Sequence, residues 1–291
     1  MEIVSGIGNI GWQHAWMPRF LNRTCGNPVC EDTGSIWHVV MHATKGVVAD
    51  DAWYCSGDCF KAASETEFTR LISLARRPAP IRNRMPLGLV LVSCGLITED
   101  ELKAVLKAQQ EAGQGRLGEW VQRLGFVSER DVIRALGTQW RCPALLPTAQ
   151  QYLPAELIPL RLLEAFRMVP IHHVVSTNKL YVAFEEGVHH SALLAVERMT
   201  GCVAEACVTS QSIFDRELAR IRGMARTEVC FESVMPAFEM SQICGNYAAQ
   251  WRADKVRSAA ARGFVWVRME KRKRRALDLV FRVSSEKTAC S

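Results

Sequence analysis

The sequence predicts an α+β chain of several small domains: a cysteine-built module, a tandem helical-hairpin bundle, a small α/β sheet domain, and a C-terminal helix with a β-hairpin. Three observations carry this. Residues 86–139 contain one unit written twice, four cysteines fall in two close pairs before it, and strands alternate with helices after it. A repeat of this kind marks a supersecondary unit that needs a partner to cover its apolar face. Alternating strands and helices point to an open sheet covered by helices.

Composition sets the limits. The 291 residues suffice for two or three domains, and 48% hydrophobic with 23% charged residues describes a folded chain. No apolar run is long enough to predict a membrane span, and the first twenty residues lack the basic start and apolar stretch of a signal peptide. Scattered thiols without an export signal predict a reducing, cytoplasmic setting. The net charge of +6 is uneven, because residues 251–275 alone carry a local +8. Attraction to an acidic partner would reside there.

The first segment is residues 1–77. Gly6-Ile-Gly-Asn-Ile-Gly11 spells a dinucleotide fingerprint but lacks the preceding strand and following helix that the motif needs. Cys25 and Cys30 bracket one tight turn, and Cys55 and Cys59 a second. Two thiolates on each of two turns complete a tetrahedral metal site with no open position, which is a structural site. Ile36–Val40 and Trp53-Tyr54 alternate like a hairpin, and a helix is expected from Cys59 to about Arg76. This order resembles a treble-clef zinc finger, which implies zinc on Cys25, Cys30, Cys55 and Cys59. Unmetallated cysteines are the plainer alternative. Arg76-Arg-Pro-Ala-Pro80 reads as a linker.

The hairpin bundle is expected over residues 82–147. At an offset of thirty, Leu87, Gly88, Gly95, Glu99, Leu106 and Gln109 recur as Leu117, Gly118, Gly125, Glu129, Leu136 and Gln139. Gly95 supplies a left-handed stop for the first short helix. Thr98 and Glu101 form a capping box for the second helix, with Ser128 and Asp131 as a near copy. Gly88 and Gly118 sit inside helices at a cost of ~1 kcal/mol each. That cost implies close backbone approach, either by a packed helix or by a ligand.

These residues resemble the N-terminal domain of type II secretion and type IV pilus assembly ATPases. In its MshEN form, that domain binds cyclic di-GMP through two tandem RLGxxL…G…L…Q motifs. Arg116-Leu117-Gly118, Gly125, Leu136 and Gln139 match the second motif. Leu87, Gly88, Gly95, Leu106 and Gln109 match the first, with Pro86 standing in place of its Arg. The resemblance therefore implies ligand contacts from Leu87, Gly88, Gln109, Arg116, Leu117, Gly118 and Gln139. Proline offers no guanidinium fork, so Arg84 is the upstream candidate for that role.

Residues 148–224 are expected to form the small α/β domain. Strands are predicted at 167–171, 180–184 and 203–208, and helices at 162–166, 190–199 and 211–221. His172, His173, His189 and His190 read as surface residues. With the repeat, the resemblance covers about residues 82–222. In residues 235–285 a helix is expected over 248–261, with strands at 264–268 and 277–283 around a basic turn at 271–275. No GxxxxGK loop followed by Ser or Thr is present, so the sequence predicts no ATPase of that type.

The reading that follows is a non-catalytic adaptor or sensor that binds cyclic di-GMP, a secretion- or pilus-machine component, or both. The alternative is a zinc-finger nucleic-acid-binding protein using the basic turn. The sequence carries no local signature of a catalytic grouping, so a non-enzyme is expected.

Overall fold

The computed structural model of the chain describes residues 24–30, 46–50, 52–78, 84–144, 157–271 and 276–283. The N-terminal lead, the Ile36–Val40 segment, His38, His42 and most of the basic turn lie outside the described residues.

The first described elements are two short antiparallel strands, β1 (Val47–Ala49) and β2 (Ala52–Tyr54). Helix α1 (Gly57–Ala75) follows, capped by the Ser56 hydroxyl accepting from the Cys59 N–H. Its Phe60, Phe68, Leu71, Ile72 and Ala75 recur at helical spacing and are buried.

The repeat folds as two helical hairpins, α2 (Leu87–Ser93) with α3 (Glu99–Ala112), and α4 (Leu117–Arg123) with α5 (Glu129–Trp140). Both expected capping boxes form, at Thr98/Glu101 and Ser128/Asp131. Gly95 and Gly125 adopt φ of +65° and +74°, the left-handed conformation that a β-carbon disfavours. The first helix of each copy packs chiefly on the second helix of the other, α2 on α5 and α4 on α3. Leu91, Val105, Val121 and Ala135 form the shared core.

The small sheet comprises β3 (Met168–Val174), β4 (Lys179–Phe184) and β5 (Val203–Val208), after a short helix α6 (Leu160–Ala165). β3 and β4 are antiparallel, and β5 joins β4 in parallel across helix α7 (His190–Thr200). Helix α8 (Gln211–Arg222) follows, capped by Ser210.

The last elements are β6 (Glu228–Phe231), α9 (Ala237–Trp251), β7 (Lys255–Ala261), β8 (Phe264–Glu270) and β9 (Leu277–Arg282). The structure overturns the helix expected over 248–261. α9 ends at Trp251, Arg252 turns left-handed at φ +50°, and 255–261 is a strand between β1 and β8. Alanine favours helices in isolation, but burial and ladder pairing override that preference. Ala259 and Ala261 are small because α7 lies on β7. β6 was not anticipated. It pairs with β9 and stacks Phe231 on Phe281 at 4.7 Å between centroids.

The six strands run in the order β2-β1-β7-β8-β9-β6. Residues from both ends of the chain therefore share one sheet. Its alternation is regular: Val265, Val267, Leu277, Leu279 and Phe281 meet α1 and α9 on one face. Phe264, Trp266, Val280, Ala259 and Ala261 meet the small sheet and its helices on the other. On that second face Arg268 forks onto Asp278 at 2.8 Å and Trp266 Nε1 donates to Asp278 at 2.7 Å, so the buried charge is paired.

Candidate functional site

Two groupings carry chemistry. The first is the cysteine cluster. The Sγ atoms of Cys25, Cys30, Cys55 and Cys59 all lie within 4.8 Å of one another. Cys30 is 3.8 Å from Cys55, and Cys55 is 3.5 Å from Cys59. A tetrahedral ion with metal–sulfur bonds of ~2.3 Å holds its sulfurs roughly 3.8 Å apart, so the set fits a closed metal site. The supporting shell is local. Gly26 N–H donates to the Trp53 carbonyl at 2.7 Å, which pins the first turn to β2. Asn27 accepts from the Val29 N–H at 3.1 Å and from the Cys30 N–H at 3.1 Å, which tightens that turn. Burial pushes the Cys55 thiol up. Burial also acts upward on Cys59, but hydrogen bonds from Asn27 and Ser56 outweigh it and bring the thiol down to about 7. Cys59 is thus the readiest thiolate of the pair.

The second grouping is a cleft of about 770 Å³ between the second hairpin and the small sheet. Arg116, Gly118, Glu119, Gln122 and Val132 line one wall, and Glu185, Glu186, Thr209, Ser212 and Asp215 the other. Arg116 sits at the N-cap of α4 and reaches across, donating from one terminal nitrogen to Glu185 and from the other to Glu186. Glu185 also accepts from Arg167, whose guanidinium lies 4.5 Å from the Phe214 ring centroid. Burial pulls the Arg116 pKa down, but the two glutamates outweigh it and leave it raised. The Thr209 hydroxyl is buried in the wall with no hydrogen-bond partner among the described residues.

The residues singled out in the sequence divide here. Leu87, Arg116 and Gly118 line the cleft, whereas Gly88, Gln109, Leu117 and Gln139 are not among its lining residues. Those four tie the copies together. Gln139 Nε2 donates to the Met85 carbonyl at 2.8 Å, and Gln109 Nε2 donates to the Gly115 carbonyl at 2.8 Å. Met85 and Gly115 are thirty residues apart, as are the glutamines, so the bonds are reciprocal. A β-carbon on Gly88 would lie 2.7 Å from Leu102 and 3.2 Å from Leu117. One on Gly118 would lie 3.0 Å from Val132 and 3.7 Å from Leu87. The two glycines thus serve helix packing around an internal pseudo-two-fold axis. Arg84 stacks on Trp140, 3.3 Å from the ring centroid, rather than lining the cleft. His189, expected at the surface, is half-buried against Phe166 at 5.4 Å.

Sequence reasoning missed Glu185, Glu186, Thr209 and Asp215. The available signal was a Glu-Glu-Gly run directly after an apolar strand, where β4 stops and side chains leave the sheet.

No family model matches the chain. Over 137 residues, 46% of its length, it is 28% identical to the type IV pilus assembly ATPase PilB of Thermus thermophilus, and the match spans 15% of that protein. Among solved structures it is similar to MshE with cdg, at 23% identity and a TM-score of 0.38, covering 47% of this chain and 99% of that one. It is also similar to the N-terminal domain of XpsE, at 23% identity and a TM-score of 0.34, covering 48% of this chain and 98% of that one. Among the described residues no helix is long and apolar enough to cross a membrane. Over 46% of its length, then, the chain is similar in sequence to a part of a type IV pilus assembly ATPase, in line with the resemblance that the doubled motif carries.

Proposed function

We propose that this chain is a non-catalytic, cytoplasmic adaptor or sensor of a pilus or secretion machine, with cyclic di-GMP as the ligand of the cleft beside Arg116 and zinc on the four cysteines. The observation that carries the ligand reading is the position of Arg116. It belongs to the intact Arg-Leu-Gly motif and stands on the wall of a cleft large enough for a nucleotide. A guanidinium fork suits both phosphate oxygens and the acceptor edge of a guanine. Four thiolates suit zinc, and a closed four-ligand site gives it a structural role. The partner reading leans on the similarity to the pilus assembly ATPase.

Titration calorimetry with cyclic di-GMP tests the ligand. Saturable binding that Arg116→Ala abolishes supports it, and no heat from the unaltered protein ends it. A nucleic-acid partner is the second reading, through the basic turn. Beside that turn, Arg268 of β8 is committed to Asp278, and Arg257 of the neighbouring β7 to Glu270 and the Met199 carbonyl, which favours the first reading. Retention on DNA or RNA at low salt that fades steeply with added salt would reverse that order.

A further inference from the structure

We infer that Glu185 and Glu186 form an internal latch, occupying Arg116 in place of the cleft's ligand, so that an anionic ligand opens the contact between the second hairpin and the small sheet. This rests on the reading of the cleft as the cyclic di-GMP site.

The segment that carries the latch is gripped at both ends of the second hairpin. At the start of α4, each terminal nitrogen of the Arg116 fork is taken by one carboxylate. At the end of α5, the Trp140 ring packs against Gly187, where φ is +137° and a β-carbon would lie 1.8 Å from the ring. Only glycine admits that approach. Arg84 in turn stacks on the Trp140 ring. Glu185 is fixed from behind, because its N–H donates to the Arg167 carbonyl at 3.0 Å and its carboxylate accepts from the Arg167 side chain. A third polar bridge crosses the cleft, from the Ser212 hydroxyl to Glu129.

The charges decide what the latch opposes. Five carboxylates line the cleft (Glu119, Glu129, Glu185, Glu186 and Asp215) against the guanidiniums of Arg116 and Arg123. An incoming phosphodiester meets a wall of its own sign until it takes Arg116 from the two glutamates. An equilibrium between a self-paired and a ligand-paired arginine reduces apparent affinity by the fraction of time the fork is free. Ligand binding and loosening of the 185–187 segment are then two sides of one equilibrium. Glu186 is the exchangeable partner: both carboxylates also meet Arg167, but the Glu186 side chain is 19% exposed and that of Glu185 only 3%.

The test compares the full chain with its Glu186→Gln variant, titrated with cyclic di-GMP by calorimetry. Removing one charge-assisted competitor should tighten binding about tenfold. Equal or weaker binding by the variant overturns the latch and leaves the ligand reading standing. Absence of binding by both proteins ends the ligand reading. In that case ligand-free hydrogen exchange judges the latch, in the unaltered chain and in Arg116→Gln. Faster exchange at residues 185–189 in that variant supports the latch, and unchanged protection overturns it.

Discussion

The two hairpins of the repeat have the same helices, the same capping boxes and reciprocal glutamine bonds, yet they face different surroundings. The outer face of the second is buried. Ile133 packs with Val208 of β5 and Ile213 of α8, joined by Leu136 and Trp140. At the equivalent places the first hairpin carries Lys103, Leu106 and Gln110, and Leu106 is 48% exposed. The residues that match between copies encode the internal two-fold axis. Those that differ decide which copy docks on the sheet and which carries the arginine.

The largest expected effect leaves both hairpins alone. The cysteine cluster fixes β1, β2 and the start of α1, and these share a sheet and a core with β7, β8 and β9. Structural zinc contributes about 10 kcal/mol or more to folding in small modules. A chelator should therefore melt the cysteine module and weaken the six-stranded sheet, while residues 86–139 keep their helical protection. Hydrogen exchange with and without chelator checks this. Equal loss of protection in the hairpins would contradict the division.

Next comes the docking face. Ile133 is 3% exposed, and Ile133→Lys gives the second hairpin the residue of the first. Losing that burial and placing a charge there should cost about 3 kcal/mol or more. A second, separate melting transition for the hairpins is expected. The reverse change, Lys103→Ile, should leave the melting profile as it was.

The glutamines give a smaller and symmetric effect. Gln109→Ala and Gln139→Ala each remove one hydrogen bond to a carbonyl, about 1 kcal/mol apiece. Denaturant midpoints should shift by the same amount in both variants. A large inequality would break the pseudo-symmetry.

Acid should separate the regions last and least. Burial and then the nearby Arg262 lower the His189 pKa from 6.5. A histidine lowered on folding takes up its proton more readily unfolded, so its contribution is present above pH ~6.5 and fades as pH falls below that. The hairpins contain no histidine. Mild acid should thus weaken the small sheet, seen as faster exchange in β3 and β4, before it affects residues 86–139.

What was legible in the sequence was local. Thr98, Gly95, Ser128 and Gly125 announce their caps and turns because the chemistry lies within a few residues of each. The cysteine pairs were legible for the same reason. What stayed hidden was set at long range. Residues 255–261 became a strand because β1 and β8 flank them, and an alanine-rich run cannot signal that. The glutamate partners of Arg116 lie 69 and 70 residues away, so no spacing rule pairs them. Gln109 and Gln139 matched a ligand motif, and their hydrogen bonds go to the other copy's backbone.

The sharpest test of unequal hairpins is a calorimetric comparison of cyclic di-GMP binding by Arg116→Ala and Pro86→Arg. Arg116→Ala should abolish binding and Pro86→Arg should leave affinity unchanged, because Arg116 lines the cleft and Pro86 does not. Binding retained by Arg116→Ala, or strengthened by Pro86→Arg, would contradict it.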